Sequence, residues 1–421
     1  MSSRRFFLLS GAALVVAGPV FGKPRKAVHA APKAEPAKPE AAKPAADDEE
    51  GSASDTNAPT GAPAESPVGP VPTSAQWAFI TDFDTGAILL DKASDVEMPP
   101  SSMTKLMTAY IVYSRLKAGS LHLDQLLPVS EHAWRTQGSK MFVEINGTIK
   151  VEDLIRGMII QSGNDACLVL AEGIAGSESQ FVDQMNQMAK KIGLTNSYFK
   201  NCTGWPDPEH HMSAHDIAIL ARRIIKDFPE YYHFDSEKTF TYHGIVQYNR
   251  NPLVQRGLAD GLKTGHTDAG GFGVVGSAEH NGRRVIMVLN GMPTGKARVE
   301  ESIRLMSWAF ANFENVTLFS ASDVIDKAPV WLGTKPTVPL MGGEDVVMTL
   351  PHGWRSRIKV QVHYQSPIPA PIYRGDVVGT LTIGGERLPQ AQIQLLAGED
   401  VQRLGVLGRA MARLTHSATG Q

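Results

Sequence analysis

Pro99-Pro100-Ser101-Ser102-Met103-Thr104-Lys105-Leu106-Met107 stops an extended segment and starts a helix. Two prolines end strand-like structure and the serines can cap a helix. Leu106, Met107, Tyr110, Ile111 and Leu116 then recur at helical spacing until Gly119. Ser102 and Lys105 stand three apart, so on a helix they share a face about one turn apart. Positive potential at a helix N-terminus favours negative charge developing on the serine oxygen. Ser-x-x-Lys alone is a weak signal, because it also occurs at Ser114, Ser197 and Ser356. Ser114 falls at the far end of the same helix. Ser356 falls where alternation predicts a strand, in which positions three apart face opposite sides. On its own the pair at Ser102 also reads as an N-cap serine beside a solvated lysine.

Working outward, Trp77–Asp82 and residues 87–90 flank Asp84-Thr85-Gly86, which predicts a hairpin. Residues 151–173, 180–192 and 212–226 carry helical periodicity. Residues 272–278 and 285–290 flank Asn281-Gly282, a strong hairpin turn signal. Residues 298–313 read as a closing helix. Strands at both ends of residues 76–317 thus bracket a helical middle, which predicts an α+β domain whose sheet joins its two chain ends. Residues 318–400 change to short β-prone runs at 329–332, 345–350, 358–364 and 377–383, with turns at Gly342-Gly343 and Gly384-Gly385. They predict a small all-β domain. Val401, Leu404, Leu407, Met411 and Leu414 then form a stripe beside Arg403, Arg409 and Arg413. Residues 401–421 are therefore expected to form an amphipathic helix on an anionic membrane surface, weakened by Gly405 and Gly408.

Two further fragments follow Ser102 in order. Ser162-Gly163-Asn164 is the only Ser-x-Asn in the chain and Lys263-Thr264-Gly265 the only Lys-(Thr/Ser)-Gly. The ordered trio is closely related to that of class A β-lactamases and penicillin-binding proteins. From residue 76 to about 400 the chain resembles the D-alanyl-D-alanine carboxypeptidases among the low-molecular-mass penicillin-binding proteins, the penicillin-binding protein 5/6 type. The resemblance rests on Pro100 to Thr108, on Ile155-Arg156-Gly157 leading into Gln161 to Cys167, and on Gly261 to Thr267. Pro329-Val330-Trp331 and Gly375-Asp376-Val377-Val378-Gly379 resemble that family's small β domain.

The resemblance implies a β-lactamase/transpeptidase-like domain, an antiparallel sheet with helices on both sides, followed by the all-β domain. It implies acyl transfer without a cofactor, on the stem peptides of peptidoglycan, with β-lactam antibiotics as covalent inhibitors. Ser102 would be the nucleophile, Lys105 its base and Ser162 a proton relay to the leaving amine. A free lysine has a pKa of about 10.4; burial and a neighbouring cation such as Lys263 would both favour its neutral form. Asn164 would hold Lys105 and the substrate backbone. Lys263 and Thr264, with Gly265 and His266 beside them, would bind the terminal carboxylate. The backbone N–H groups of Ser102 and His266 would form the oxyanion hole. A β-lactamase is a second reading, but no Glu-x-x-Leu-Asn segment lies between Ser162 and Lys263. A non-catalytic wall-binding protein is a third, against which the intact trio argues.

Composition sets the bounds. The formal net charge is −2 in 421 residues, without the basic excess of a nucleic-acid binder. Two cysteines exclude a disulfide scaffold and any four-cysteine zinc site; whether Cys167 and Cys202 pair stays open. His211 and His215 have a His-x3-His spacing, but without a His-Glu-x-x-His motif no metal is expected. Residues 1–22, with Arg4 and Arg5 before an apolar stretch, read as an export signal, with cleavage as late as 30 and either Sec or twin-arginine export. Residues 23–75 hold 14 Ala, 10 Pro and no Phe, Trp or Tyr. They read as a disordered spacer. The mature protein is expected in the periplasm, with the tail on the outer face of the inner membrane.

Overall fold

The computed structural model describes residues 61–411. The expected export signal, residues 23–60 of the expected spacer and residues 412–421 of the expected tail lie outside the described residues.

The first domain is built on a five-stranded antiparallel sheet. Its strands are β1 (Trp77–Asp82), β2 (Ile88–Lys92), β3 (Thr264–Thr267), β4 (Gly271–His280) and β5 (Arg283–Met292), in the order β2-β1-β5-β4-β3. The sheet does join the two ends of the domain: β1 pairs with β5, Phe79 opposite Val288. Both hairpins form as expected, the second turning at Asn281 and Gly282, both at positive φ. Alternation along the strands divides two apolar layers. Phe79, Val275, Ile286 and Val288 face one side, which holds α1 (Lys105–Lys117), α2 (Val151–Ile159), α3 (Asn164–Ala175), α4 (Glu178–Ile192) and α5 (Ala214–Asp227). Ala78, Ile80, Val285, Met287 and Leu289 face the other, against Leu305, Met306 and Ala309 of α6 (Gly295–Asn312). This is the expected fold class.

Four boundaries differ from the expectation. The single helix read over 151–173 is two helices, α2 and α3, separated at Ser162, whose φ is +63°. The spacer is shorter than expected: Ala64 pairs with Val71 and Glu65 with Asp91. Ala64, Val71 and Ala75 are buried in the layer with α6, and Arg304 Nη2 donates to Pro72 O at 2.6 Å. Small apolar residues fit this groove, and a compositional reading cannot distinguish them from the spacer before them. The second domain begins at Phe313, directly after α6, because β6 (Phe313–Phe319) pairs with β9 (Val346–Pro351). It ends later as well. Val401 is fully buried and pairs with Ile372, and Arg403 pairs with Gly333. The helix expected from 401 therefore starts only at 406.

The remaining strands of the second domain are β7 (Val324–Trp331), β8 (Thr337–Met341), β10 (Ile358–Tyr364), β11 (Val377–Gly385) and β12 (Leu388–Ala397). With the two-residue strand Ile368–Pro369 they form a six-stranded sheet, in the order β10-β11-β12-β8-β7 and then 368–369. Gly384 and Gly385, expected as a turn, lie inside β11, and Arg387 at φ +55° turns the chain instead. Ser356 ends a short 3-10 turn, Trp354–Ser356, rather than lying in a strand. A polar clamp ties the domains together. Arg283 Nε binds Asp82 Oδ2 at 2.9 Å, and its Nη1 donates to Ala309 O and Phe313 O at 3.1 and 2.8 Å. Thr85 and Thr349 share a hydroxyl hydrogen bond of 2.6 Å.

Candidate active site

Ser102 lies in a 3-10 turn, Ser101–Thr104, that runs directly into α1. It is not an N-cap: Pro100 precedes the turn and neither N-cap residue makes a side-chain cap bond. Ser101 takes φ +51° and its hydroxyl meets Thr267 Oγ1 at 2.9 Å, which pins the turn to β3. Two glycines permit this approach. A Cβ on Gly265 would lie 3.0 Å from Ser101 Cβ and 3.2 Å from Ser102 N. One on Gly204, at φ +82°, would lie 1.8 Å from Ser101 O. Any side chain there would push the turn out of place.

Lys105, the first residue of α1, is 2% exposed. Its Nζ lies 3.0 Å from Ser102 Oγ, 2.8 Å from Asn164 Oδ1 and 2.7 Å from Thr203 O. Asn164 opens α3, and its other amide atom, Nδ2, donates to Gln137 O at 2.8 Å. Ser162 sits in the break just before α3, 1% exposed, and its Oγ has no hydrogen-bond partner among the described residues. The left-handed backbone at Ser162 is what turns α2 into α3, with Asn164 delivered to Lys105. Lys263 is also 2% exposed, and Thr264 is buried at the start of β3. His266 stacks on Phe272, ring centroids 3.8 Å apart. Ser102, Asn164, Thr203, Thr264 and His266 line one cleft of about 270 Å³.

Sequence reasoning missed three contributors. Thr203 offers its carbonyl to Lys105 because Asn201 Oδ1 gathers the N–H groups of Thr203, Gly204 and Trp205 at 3.2, 2.8 and 3.0 Å. The Asn-x-x-Gly spacing at 201–204 was the available signal. Asp165, fully buried, accepts from the backbone N–H groups of Met141, Phe142 and Val143 at 2.9, 2.9 and 3.2 Å. It thereby fixes the loop that presents Gln137 and Ser139. Arg250 Nη1 donates to Ser139 Oγ at 2.8 Å at the same wall. Nothing local in the sequence joins these last pairs.

Cys167 and Cys202 are free and buried. Burial pushes the Cys167 thiol up to about 12, against the opposing pull of Lys105 and Lys263. Burial also holds Cys202 well above its usual range. Neither is a thiolate nucleophile at neutral pH. The histidines diverge. His210 Nε2 meets Thr104 Oγ1 at 2.9 Å, His211 approaches Glu97 at 3.6 Å, and His215 binds Asp95 at 2.9 Å. Among the described residues no three metal-ligating side chains converge.

Residues 64–294 match the family described as D-alanyl-D-alanine carboxypeptidase. The chain belongs to that family. Residues 313–403 match the C-terminal domain of penicillin-binding protein 5, which agrees with the second domain's observed limits. A D-alanyl-D-alanine carboxypeptidase of Haemophilus influenzae, DacA, is 38% identical over 351 residues, covering 81% of this chain and 89% of that protein. The solved structure of penicillin-binding protein 5 from Haemophilus influenzae superposes with a TM-score of 0.69 at 38% identity, covering 79% of this chain and 98% of that one. Penicillin-binding protein D2 of Listeria monocytogenes, solved in an ampicillin-bound form, is 29% identical with a TM-score of 0.52, covering 56% of this chain and 98% of that one. Membership makes this chain a serine-type peptidase of the penicillin-binding class.

Proposed function

We propose that the chain removes the terminal D-alanine from peptidoglycan stem peptides through an acyl-enzyme on Ser102. The observation that carries this reading is the 3.0 Å separation of Lys105 Nζ from Ser102 Oγ in a buried setting. A neutral lysine amine has two N–H bonds and one lone pair. Here it can donate to Asn164 Oδ1 and Thr203 O while accepting the Ser102 proton. Ser102 Oγ then bonds to the carbonyl carbon between the two D-alanines. The oxyanion faces the N–H groups of Ser102 and His266, a placement that the edge position of β3 favours. As the C–N bond breaks, the proton passes from Lys105 through Ser162 to the departing amine, and D-alanine leaves. Water hydrolyses the ester, returning the serine proton and releasing the shortened peptide as a carboxylate. Lys263 and Thr264 hold the terminal carboxylate of the substrate. A β-lactam acylates the same oxygen.

The signal-like residues 1–22 support export to the periplasm. The described part of the tail supports a weak contact with the inner membrane. Val406, Leu407 and Met411 are 74, 85 and 69% exposed, whereas buried Val401 is removed from that apolar stripe. The test of the activity is product mass on pentapeptide muropeptides. Wild type should release one D-alanine per stem and Ser102→Ala none, with an unchanged melting temperature. Equal release by Ser102→Ala would overturn the assignment.

A further inference from the structure

The second domain carries positive charge that the fold leaves unused. From Val346 to Gly375 the sequence holds Arg355, Arg357, Lys359 and Arg374 but no Asp or Glu. The first three lie together, in the turn Trp354–Ser356 and at the start of β10. Arg387 joins them from the turn between β11 and β12. Ile358 pairs with Gly385, and a Cβ on Gly385 would collide with Arg357 O, so the two turns stand side by side. Among the described residues, Arg355, Arg357, Lys359 and Arg387 make no ion pair. Arg283 and Arg284 of the first domain, in contrast, are each bound by carboxylates. Glu386 shares the turn with Arg387 and offsets one of the four charges. Glu314 is taken up by Trp354 Nε1 at 3.1 Å and His352 Nδ1 at 3.6 Å.

One of these cations is held ready. Trp354 is buried, and the Arg355 guanidinium lies over its ring, 4.7 Å from the centroid. Stacking fixes the guanidinium plane and leaves its N–H edge free, the geometry that grips a carboxylate with two hydrogen bonds. The surface continues along the outward face of the sheet, where directly opposite residues of neighbouring strands share a side. Gln361, Thr382 and Gln392 form one row across β10, β11 and β12. His363, Thr380 and Gln394 form the next. The alternate residues Leu381, Ile383 and Leu395 turn into the core. These rows present amide, hydroxyl and imidazole groups without a carboxylate, with the cations at one end.

We propose that this face docks the peptidoglycan polymer, the cations taking free carboxylates of stem peptides and the polar rows taking the sugar and peptide groups beside them. Only the identity of the polymer rests on the carboxypeptidase reading above. A stem peptide ends in a carboxylate before and after the cut, so the surface holds substrate and product alike and keeps the enzyme on the wall between turnovers. An anionic membrane is the other polyanion within reach of an exported protein. The cations stand at the wrong end for it. β11 runs from Val377 to Gly385 and spans about 25 Å. Its Val377 end adjoins the tail, where Val401 pairs with Ile372, and the Arg387 turn lies at the opposite end.

The test is co-sedimentation of the full chain, carrying Ser102→Ala, with purified sacculi. Adding Arg355→Gln/Arg357→Gln/Arg387→Gln should lower the bound fraction at least fivefold at low salt, and the difference should vanish at high salt. The corresponding triple lysine variant keeps the charge and should keep most of the binding. Lys359→Gln/Arg387→Gln, which leaves the Trp354 turn untouched, should lose at least twofold. With Ser102 restored, the glutamine variant should cleave a soluble pentapeptide at the wild-type rate, which also reports an intact fold, and cleave sacculi several-fold more slowly. Sacculus binding that survives both glutamine variants overturns the proposal. So does a loss confined to anionic vesicles, which would assign the cations to the membrane. Failure of wild type to release D-alanine defeats the carboxypeptidase reading separately, because sacculus binding is measured without catalysis.

Discussion

Lys105 and Asp235 show two opposite uses of burial. In the proposed acylation Lys105 must surrender a proton, leaving an amine lone pair for the Ser102 hydroxyl 3.0 Å away. Arginine cannot serve, since a guanidinium stays protonated in proteins. Lys105→Arg should therefore acylate at least a hundredfold more slowly with penicillin, measured by stopped labelling, while keeping its near-ultraviolet dichroism. An unchanged rate would remove Lys105 as base. Asp235 is fully buried beneath the same site, with Oδ2 accepting from Tyr113 Oη at 3.3 Å and Oδ1 without a partner among the described residues. Burial raises its pKa to about 7; Tyr113 and Lys263 oppose the shift and Asp260 adds to it. The unfolded carboxyl titrates at about 3.9. Between those values the folded state holds the extra proton, so this group makes stability fall as pH rises through the window. Asp235→Asn should flatten the decline in melting temperature between pH 4 and 7. An identical slope in both proteins would show that Asp235 does not titrate there.

At the scale of elements, the site depends on interruptions of regular structure: the 3-10 turn before α1, the left-handed residue between α2 and α3, and the Asn201 turn. Periodicity located α1, α4 and α5 to within a few residues: α4 and α5 each bury one apolar face, and α1 is apolar and buried on nearly every side. It could not find the break at Ser162, since apolar residues continue at helical spacing on both sides and no proline interrupts them. The unique Ser-Gly-Asn fragment marked the place by chemistry where the pattern was silent. Asp165 is the support behind that break. Asp165→Asn would turn one carboxylate oxygen into an NH₂ group facing backbone donors of the 141–143 loop. Leaving such buried groups unsatisfied costs about 1–3 kcal/mol. The variant should melt several degrees lower and acylate more slowly, as Ser139 and Gln137 lose their fixed position. Normal melting and acylation together would deny Asp165 this role.

Across the whole molecule, the two-domain plan was legible because hydrophobic alternation changes character after α6. The junction was not legible to the residue: β6 follows α6 without a loop, and only pairing with β9 assigns Phe313 to the second domain. The N-terminal strap over 61–75 was hidden by its alanines and prolines, whose burial depends on a groove formed by distant residues. The clamp at Asp82 is also a long-range product. Asp82 is fully buried, and removing Arg283 would strand its charge. Breaking a buried pair this way costs about 3–5 kcal/mol. Arg283→Leu should lower the melting temperature markedly and admit protease at the domain junction, whereas a surface substitution such as Lys296→Leu should do neither. Removal of residues 406–421 should reduce co-sedimentation with anionic vesicles at low salt and leave peptide hydrolysis intact. Equal sedimentation of both forms would refute the tail as the membrane contact.

The central claim is that Ser102 forms the covalent acyl-enzyme. Its most direct test is mass spectrometry of the protein quenched during reaction with benzylpenicillin, followed by peptide mapping. The geometry predicts one antibiotic molecule added per chain, located on Ser102 within the peptide that also contains Lys105. An adduct on Ser162 or elsewhere, or no adduct on folded protein, would contradict it.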